Sequence, residues 1–410
     1  MNKIWEYYKL SDVCSIHGRI GWQGLTRKEH KTSGDYLLIT GTDFTEDNKI
    51  NLKTCVYVDE YRYTQDENIQ IRKDDLLITK DGTLGKLALI SEELPKPATL
   101  NGGIFVLRDK TKKLYPRFLL NYMKSDEFRK IIHNNRTGST VPHLTQNMLV
   151  NFPIPIPPLE EQKRIVAVLD KKFAQIETLK TAAEKNLQNT KQLFQAELEK
   201  AFSNSDFDRC LLGDIITVLT DFNANGGYAK LDSNIKMYDE PNYAVMVRTT
   251  DLERNDFNHG VKYVDKNAYD MLSKSTLFGN EIIMNKIGSA GKIYLMPCLN
   301  RPATLARNAF LIRLKETVDV RFIFLYLSSP EGTAAIMKHV HGAVTKTITK
   351  DEVRSIIVPL PPLEEQKSIV AHLDSLSEKV HQLKEIYTKQ LADCDELKQS
   401  LLQKAFEGEL

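Results

Sequence analysis

One stretch occurs twice in this chain, and it limits the possible folds more than any other feature. Pro157-Pro-Leu-Glu-Glu-Gln-Lys-Arg-Ile-Val-Ala-Val-Leu-Asp170 returns as Pro361-Pro-Leu-Glu-Glu-Gln-Lys-Ser-Ile-Val-Ala-His-Leu-Asp374, differing only at Arg164/Ser368 and Val168/His372. Weaker echoes follow in the same order. Leu10-Ser-Asp-Val matches Leu212-Gly-Asp-Ile, Tyr57-Val-Asp matches Tyr263-Val-Asp, and Pro97-Ala-Thr-Leu100 matches Pro302-Ala-Thr-Leu305. The longest echo pairs Asp75-Leu-Leu-Ile-Thr-Lys-Asp-Gly-Thr-Leu-Gly-Lys86 with Glu281-Ile-Ile-Met-Asn-Lys-Ile-Gly-Ser-Ala-Gly-Lys292. The 410 residues are therefore two copies of one unit, and whatever one half folds into, the other repeats.

Each copy opens with a mixed segment holding short β-rich runs, such as Leu76-Leu-Ile-Thr79 and Ile104-Phe-Val-Leu-Arg108, and one expected helix, over 117–132 and 321–338. A charged segment without proline follows. Its Pro-Pro-Leu-Glu-Glu start suits a helix entry, because proline is tolerated at the first positions and carboxylates favour the positive end of the helix dipole. In the second copy, after Leu363 at the helix start, Ile369, Leu373, Leu376, Val380, Leu383, Tyr387, Cys394, Leu397 and Leu401 form a seam whose steps alternate four and three, interrupted only at Gln390. In the first copy the stripe through Leu159, Ile165, Leu169, Ile176, Leu179, Ala183, Leu187, Phe194 and Leu198 drifts from strict heptads. Both helices are too polar to stand alone.

The expected fold class is α+β: two tandem globules, 1–158 and 204–362, separated by two long helices, 159–203 and 363–410. The helices are expected to pair as an antiparallel coiled coil in an internal pseudo-twofold repeat. Homodimeric zippering is the other way to cover the same faces.

Composition and missing motifs narrow the chemistry. Apolar residues at 41% and charged residues at 27% describe a soluble globular chain. No apolar run reaches a membrane span, and Met1-Asn-Lys-Ile-Trp-Glu lacks a signal-peptide core. Cys14, Cys55, Cys210, Cys298 and Cys394 are odd in number and scattered, which points to reduced thiols in a cytoplasmic protein. Gly82-Thr-Leu-Gly-Lys86 and Gly288-Ser-Ala-Gly-Lys292 are too short for a phosphate-binding P-loop. His339-Val-His341 has no companion ligand at metal spacing. The Asn/Asp-Pro-Pro-aromatic loop of amino-methyltransferases is absent, as is any Pro-Asp start of a nuclease metal motif. No nucleophile is paired with a base. The chain reads as non-catalytic, with no metal site.

Nucleic acid is the partner that its loops suit. Lys80, Thr83 and Lys86 surround one glycine turn, and Lys286, Ser289 and Lys292 surround its copy, where backbone N–H groups and ammonium groups can meet phosphate. The segment 17–31 carries Arg19, Trp22, Gln23, Arg27 and Lys28, residue types able to bond guanine or adenine edges. Arg136, Ser139, Thr140 and His143 form a third group, with Thr345 and Lys346 in the second copy. A net charge of +2, from 56 basic and 54 acidic residues, is small for a DNA binder and fits a few basic loops on a neutral body.

The repeated Pro-Pro-Leu-Glu-Glu-Gln-Lys helix start, the 138–159 junction and the 77–86 loop together closely resemble the specificity subunits of type I restriction–modification enzymes. The resemblance runs over essentially the whole chain. It implies two target-recognition domains that bind double-stranded DNA, with one adenine-methylating modification subunit on each repeat and restriction subunits where the complex also cuts. It further implies that S-adenosylmethionine belongs to the modification subunits and ATP with Mg²⁺ to the restriction subunits, while this chain binds no cofactor. At Ala343 and Thr345 the second copy departs from Ser139 and Val141 of the first, as two domains reading different sequences should. A free-standing or silent-cassette DNA-binding adaptor is the alternative. A helix of about 44 residues extends at most about 66 Å. After packing on the globules, its useful reach is about one DNA turn of ~34–36 Å. The expected target is two short unlike half-sites around an unread spacer.

Overall fold

A computed structural model describes the backbone of residues 5–21, 24–134, 143–203 and 207–410. The chain divides into two compact units, one formed by Met1–Glu184 with Thr388–Leu410 and the other by Lys185–Tyr387. Both cuts fall inside long helices, Leu159–Phe202 and Leu363–Phe406. Each unit thus owns the beginning of one helix and the end of the other.

In the first unit, strands Cys14–His17, Ile104–Asp109, Leu76–Thr79 and Leu87–Leu89 lie in that order in an antiparallel sheet. A second sheet orders Val56–Val58, Tyr36–Ile39 and Ala98–Leu100, the last two parallel. Tyr7–Lys9 pairs with Pro153–Pro155. The second unit repeats this plan and adds an edge strand, Thr276–Leu277, to the smaller sheet. Its sheets run Ile216–Asp221, Ala309–Leu314, Ile282–Asn285, Ile293–Leu295 and Lys262–Val264, Ala244–Val247, Ala303–Leu305, Thr276–Leu277. Arg209–Leu211 pairs with Ile357–Pro359. The mixed α+β class is the one expected.

The central strand Leu76–Thr79 is buried at every position because both faces are covered. Leu76 and Ile78 join the helix-side core, while Leu77 on the opposite face joins Leu37, Ile39 and Leu100 of the second sheet. In the other unit Ile282 and Met284 face the helices, and Ile283 faces Val245, Val247 and Leu305.

Each helix is bolted to the globules at both ends. At its start, the buried Gln162 accepts from the Tyr115 backbone N–H at 2.8 Å and donates to the Lys113 and Pro157 carbonyls at 2.8 Å. Gln366 does the same, accepting from Asp319 N–H at 2.9 Å and donating to Pro361 at 2.8 Å. Arg117 reaches Asp170 at 3.0 Å, and Arg321 reaches Asp374 at 2.8 Å. At the far ends, Phe202 stacks edge-on against Phe322 and Tyr326, and Phe406 stacks likewise against Phe118 and Tyr122. Lys200-Ala-Phe202 and Lys404-Ala-Phe406 are thus a second repeated signature, 204 residues apart, that the sequence reading overlooked.

Within the first unit the helix segments run antiparallel, with Glu177 on Lys398 at 3.0 Å and Lys180 on Asp395 at 3.1 Å. The expected seam is only partly used. Ile165, Leu169, Ile176 and Leu373 are buried, whereas Leu376, Val380 and Leu383 are half-buried, as is Ile369, which packs against the second core. Leu159 lies 38% exposed at the helix start, and Leu363 is half-buried. Leu179 departs from expectation and stands 60% exposed. At 3.6 residues per turn it points about 60° off Ile176, and the paired Lys180 takes the place beside the seam.

The helices expected over 117–132 and 321–338 are each two. They run Pro116–Tyr122 then Asp126–Asn134, and Val320–Ser328 then Pro330–Met337. Pro330 has no N–H to continue the first segment, and Ser329 caps the second by accepting from Gly332 N–H at 3.1 Å. All five cysteines are free. No helix among the described residues is long and apolar enough to cross a membrane.

Replacing Phe406 by alanine should destabilise the first unit by about 3–5 kcal/mol, as for other buried phenylalanines. Phe202→Ala should act equally on the second unit. Denaturant unfolding followed by hydrogen exchange locates the loss, and an unchanged unit would contradict the bolting role.

Candidate nucleic-acid interface

The topology gathers loops from distant parts of each copy at one end of its larger sheet. In the first unit Cys14–His17 and Leu76–Thr79 end there and Ile104–Asp109 begins there, with His17 opposite Val106 and Thr79 opposite Ile104. In the second, Ile216–Asp221 and Ile282–Asn285 end where Ala309–Leu314 begins. Four segments meet at each such end: the chain at 18–21, 80–86, 101–103 and 143–144; then 222–228, 286–292, 306–308 and 341–348.

The same backbone bonds hold both sets. Lys80 N–H donates to the Gly103 carbonyl at 2.8 Å, and Lys286 N–H donates to Asn308 at 2.8 Å. Gly85 bonds Thr79, and Gly291 bonds Asn285, each at 2.9 Å. Leu144 N–H reaches the Lys80 carbonyl at 3.1 Å, and Ile348 reaches Lys286 at 3.1 Å. Gly82 and Gly85 have φ of 71° and 75°, Gly288 and Gly291 79° and 86°, values that L side chains rarely adopt. The glycines of these short loops therefore shape the chain.

The side chains placed there differ between copies. Lys86 and Thr83 are exposed, and Lys80 is half-buried with its ammonium 4.7 Å from the Phe105 ring centroid. His143 is exposed, its Nδ1 2.6 Å from Asp81. Arg27 and Lys28 stand exposed on a single turn, Arg27–Glu29, whose N-cap is Thr26. Ser289, Thr345 and Lys346 are exposed. Trp22, Gln23, Arg136, Ser139 and Thr140 lie outside the described residues.

Two expected contacts are corrected. Arg19 is 3% exposed, its Nε donating to the Leu100 carbonyl at 2.6 Å and its guanidinium to Arg62 O, Gln65 and Thr99. Burial brings its pKa down to about 10. It ties the loop to the second sheet. Lys286 is buried with its ammonium 2.6 Å from Asp221, whose other oxygen meets Lys350 at 3.1 Å. Burial alone would raise the Asp221 pKa, yet the two ammonium groups hold it below the usual carboxylate range. Lys286 thus neutralises a buried carboxylate and is unavailable to DNA. Lys292 is exposed but engaged, 2.7 Å from Glu253, which raises its pKa.

Sequence reading also missed residues. The segment after Asp221 is the counterpart of 18–31, and there Arg307 lies 5.0 Å from the rings of both Phe222 and Tyr228. Tyr228 is 70% exposed. The available signal was Asn223-Ala-Asn-Gly-Gly-Tyr228, a turn-rich run before an aromatic. No group of three potential metal ligands exists among the described residues, and His341 pairs with Glu352 at 2.7 Å.

The pattern describing the type I restriction modification DNA specificity domain matches the chain twice, over residues 2–188 and 204–390. The chain belongs to the type I restriction modification DNA specificity family. The curated relatives agree. The chain is 26% identical to the EcoKI specificity subunit of Escherichia coli K12, covering 100% of this chain and 90% of the relative. It is 26% identical to the Escherichia coli EcoBI specificity subunit, over 84% and 75%. Among solved structures, a chain of a type I R-M system described for complex assembly and conformational transition superposes with a TM-score of 0.75. It is 21% identical, with 99% and 98% of the two chains covered. The HsdS subunit of Thermoanaerobacter tengcongensis gives 0.63 at 20% identity, over 99% and 97%. These two establish the fold. Specificity subunits are the non-catalytic members of their systems, in keeping with the absence of catalytic motifs from the sequence.

Two lysines of the glycine loops, one exposed and one buried, should behave differently. Lys86→Ala should weaken DNA binding alike on all sequences and lower the salt slope by about one. Lys286→Ala should instead cost stability, since it leaves the buried Asp221 carboxylate with Lys350 as its remaining ion-pair partner. The carboxylate's contribution exists above its unfolded pKa near 4 and fades as pH falls. Denaturation of Asp221→Asn against pH should therefore show its loss at neutral pH and convergence with the parent in acid.

Proposed function

We propose that the chain is the DNA-recognition subunit of a type I restriction–modification complex, in which each unit reads one half of an asymmetric bipartite target. The observation that carries this reading is the duplicated loop scaffold. Identical backbone bonds hold the loops at both sheet ends, while the exposed side chains on them differ. A common frame with different side chains suits two readers of unlike sequences. Exposed Arg27, Lys28, Lys86 and Lys346 supply phosphate contacts, Lys80 and Lys292 flank them, and Thr83, Ser289, Thr345 and His143 supply polar atoms to base edges.

The repeated helix starts serve as equivalent docking places for two modification subunits. Gln162 and Asp170 are spent on internal bonds, but Glu160, Lys163 and Ala167 point outward, and Glu364, Lys367 and Ala371 repeat them. Two identical outward sets suit one kind of partner bound twice. The two 44-residue helices set the unread spacer between half-sites. S-adenosylmethionine stays with the modification subunits and ATP with Mg²⁺ with restriction subunits, and the assembly works on cytoplasmic DNA. The target adenine must leave the stack to be methylated, which is the modification subunits' task.

Exchanging residues 1–158 for those of another family member should change only one half of the methylated target. Methylome sequencing of the assembled complex reads this directly, and a change in both halves would contradict one reader per unit.

A further inference from the structure

One ribbon of the second unit combines exposure, stiffness and apolar character in a way that general phosphate contact does not require. Ile287 and Gly288 pair with Thr347 and Lys346 as a short antiparallel ribbon. Below its tip His341 and Thr347 exchange two backbone bonds, at 2.9 and 2.8 Å. The ribbon is anchored to the sheet by Ile348 N–H on the Lys286 carbonyl. The tip itself is set by Gly342, with φ of 103°, where an added Cβ would lie 2.1 Å from the Thr345 carbonyl oxygen. On this tip Val344 is 98% exposed, and Ile287, opposite Thr347 in the ribbon, is 45% exposed. Thr345, Lys346 and Ser289 around them are exposed too.

A valine held fully in water on a constrained tip contributes nothing to the fold. Its apolar surface gains only when a partner covers it. The flanking hydroxyls and ammonium suit a polyanion with polar edges, and the DNA major groove admits a two-stranded ribbon of this width. The apolar feature which that groove offers is the thymine C5-methyl group.

We propose that the ribbon formed by 287–289 and 342–347 enters the major groove of the second half-site and that Val344 contacts a thymine methyl there. This rests on the reading of the chain as a DNA-recognition subunit. It makes Val344 a specificity-determining residue at one base pair, with Lys346 on the neighbouring phosphate.

The test uses the full chain assembled with its modification subunits on a duplex carrying its methylome-defined target. Each thymine of the second half-site is replaced in turn by deoxyuridine, which removes only the methyl group. One replacement should weaken binding about four-fold, the worth of one buried methyl. Val344→Ala should weaken binding to the thymine duplex similarly and abolish sensitivity to that replacement. At 98% exposure this change leaves folding intact. Insensitivity of the parent to every replacement, or persistent sensitivity in Val344→Ala, overturns the proposal. If Lys346→Ala still lowers affinity uniformly in that case, the ribbon touches backbone only and the DNA-recognition reading stands. If both variants bind as the parent does, neither the ribbon contact nor its place in the DNA interface survives.

Discussion

A buried primary amide holds the architecture together. Gln162 in one unit and Gln366 in the other place a carboxamide at the junction between globule and helix, where its oxygen accepts a backbone N–H and its nitrogen donates to backbone carbonyls. Both side chains are almost fully buried, so each bond forms away from competing water. The helix direction is thereby fixed relative to the globule that precedes it. With the phenylalanine at the far end of the partner helix seated on the same globule, each unit is closed by the start of one helix and the end of the other.

This arrangement explains how a nearly neutral chain can serve DNA. Several basic residues are consumed internally: Arg19 by backbone carbonyls, Lys286 by Asp221, Arg108 by the buried Asp75, and Arg313 by Glu281. The last two pairs occupy equivalent places and stitch the same strands. What is left on the loops is a small basic complement, and a net charge of +2 reflects that division between scaffold and contact.

The duplication, the two long helices and the mixed α+β class were legible in the sequence because they rest on local pattern and repetition. Residue roles were legible only where they depend on near neighbours. The glycine turns are an example, since positive φ at Gly82 and Gly85 follows from the loop itself. Arg19 and Lys286 were misread because their partners, Leu100 and Asp221, lie 81 and 65 positions away, and loop placement alone suggests exposure. Leu179 was misread because a three-or-four step count tolerates either of two neighbouring positions, and Lys180 with Asp395 decides which faces in. Tyr228 and Arg307 were missed for the same reason, being joined only by the sheet topology.

The central proposal is that the two long helices set the unread spacer between the half-sites. Inserting one helical turn into both helices and sequencing the methylome of the assembled complex tests it most directly. The account predicts the same two half-sites separated by a longer unread spacer. Altered half-sites around an unchanged spacer would contradict it.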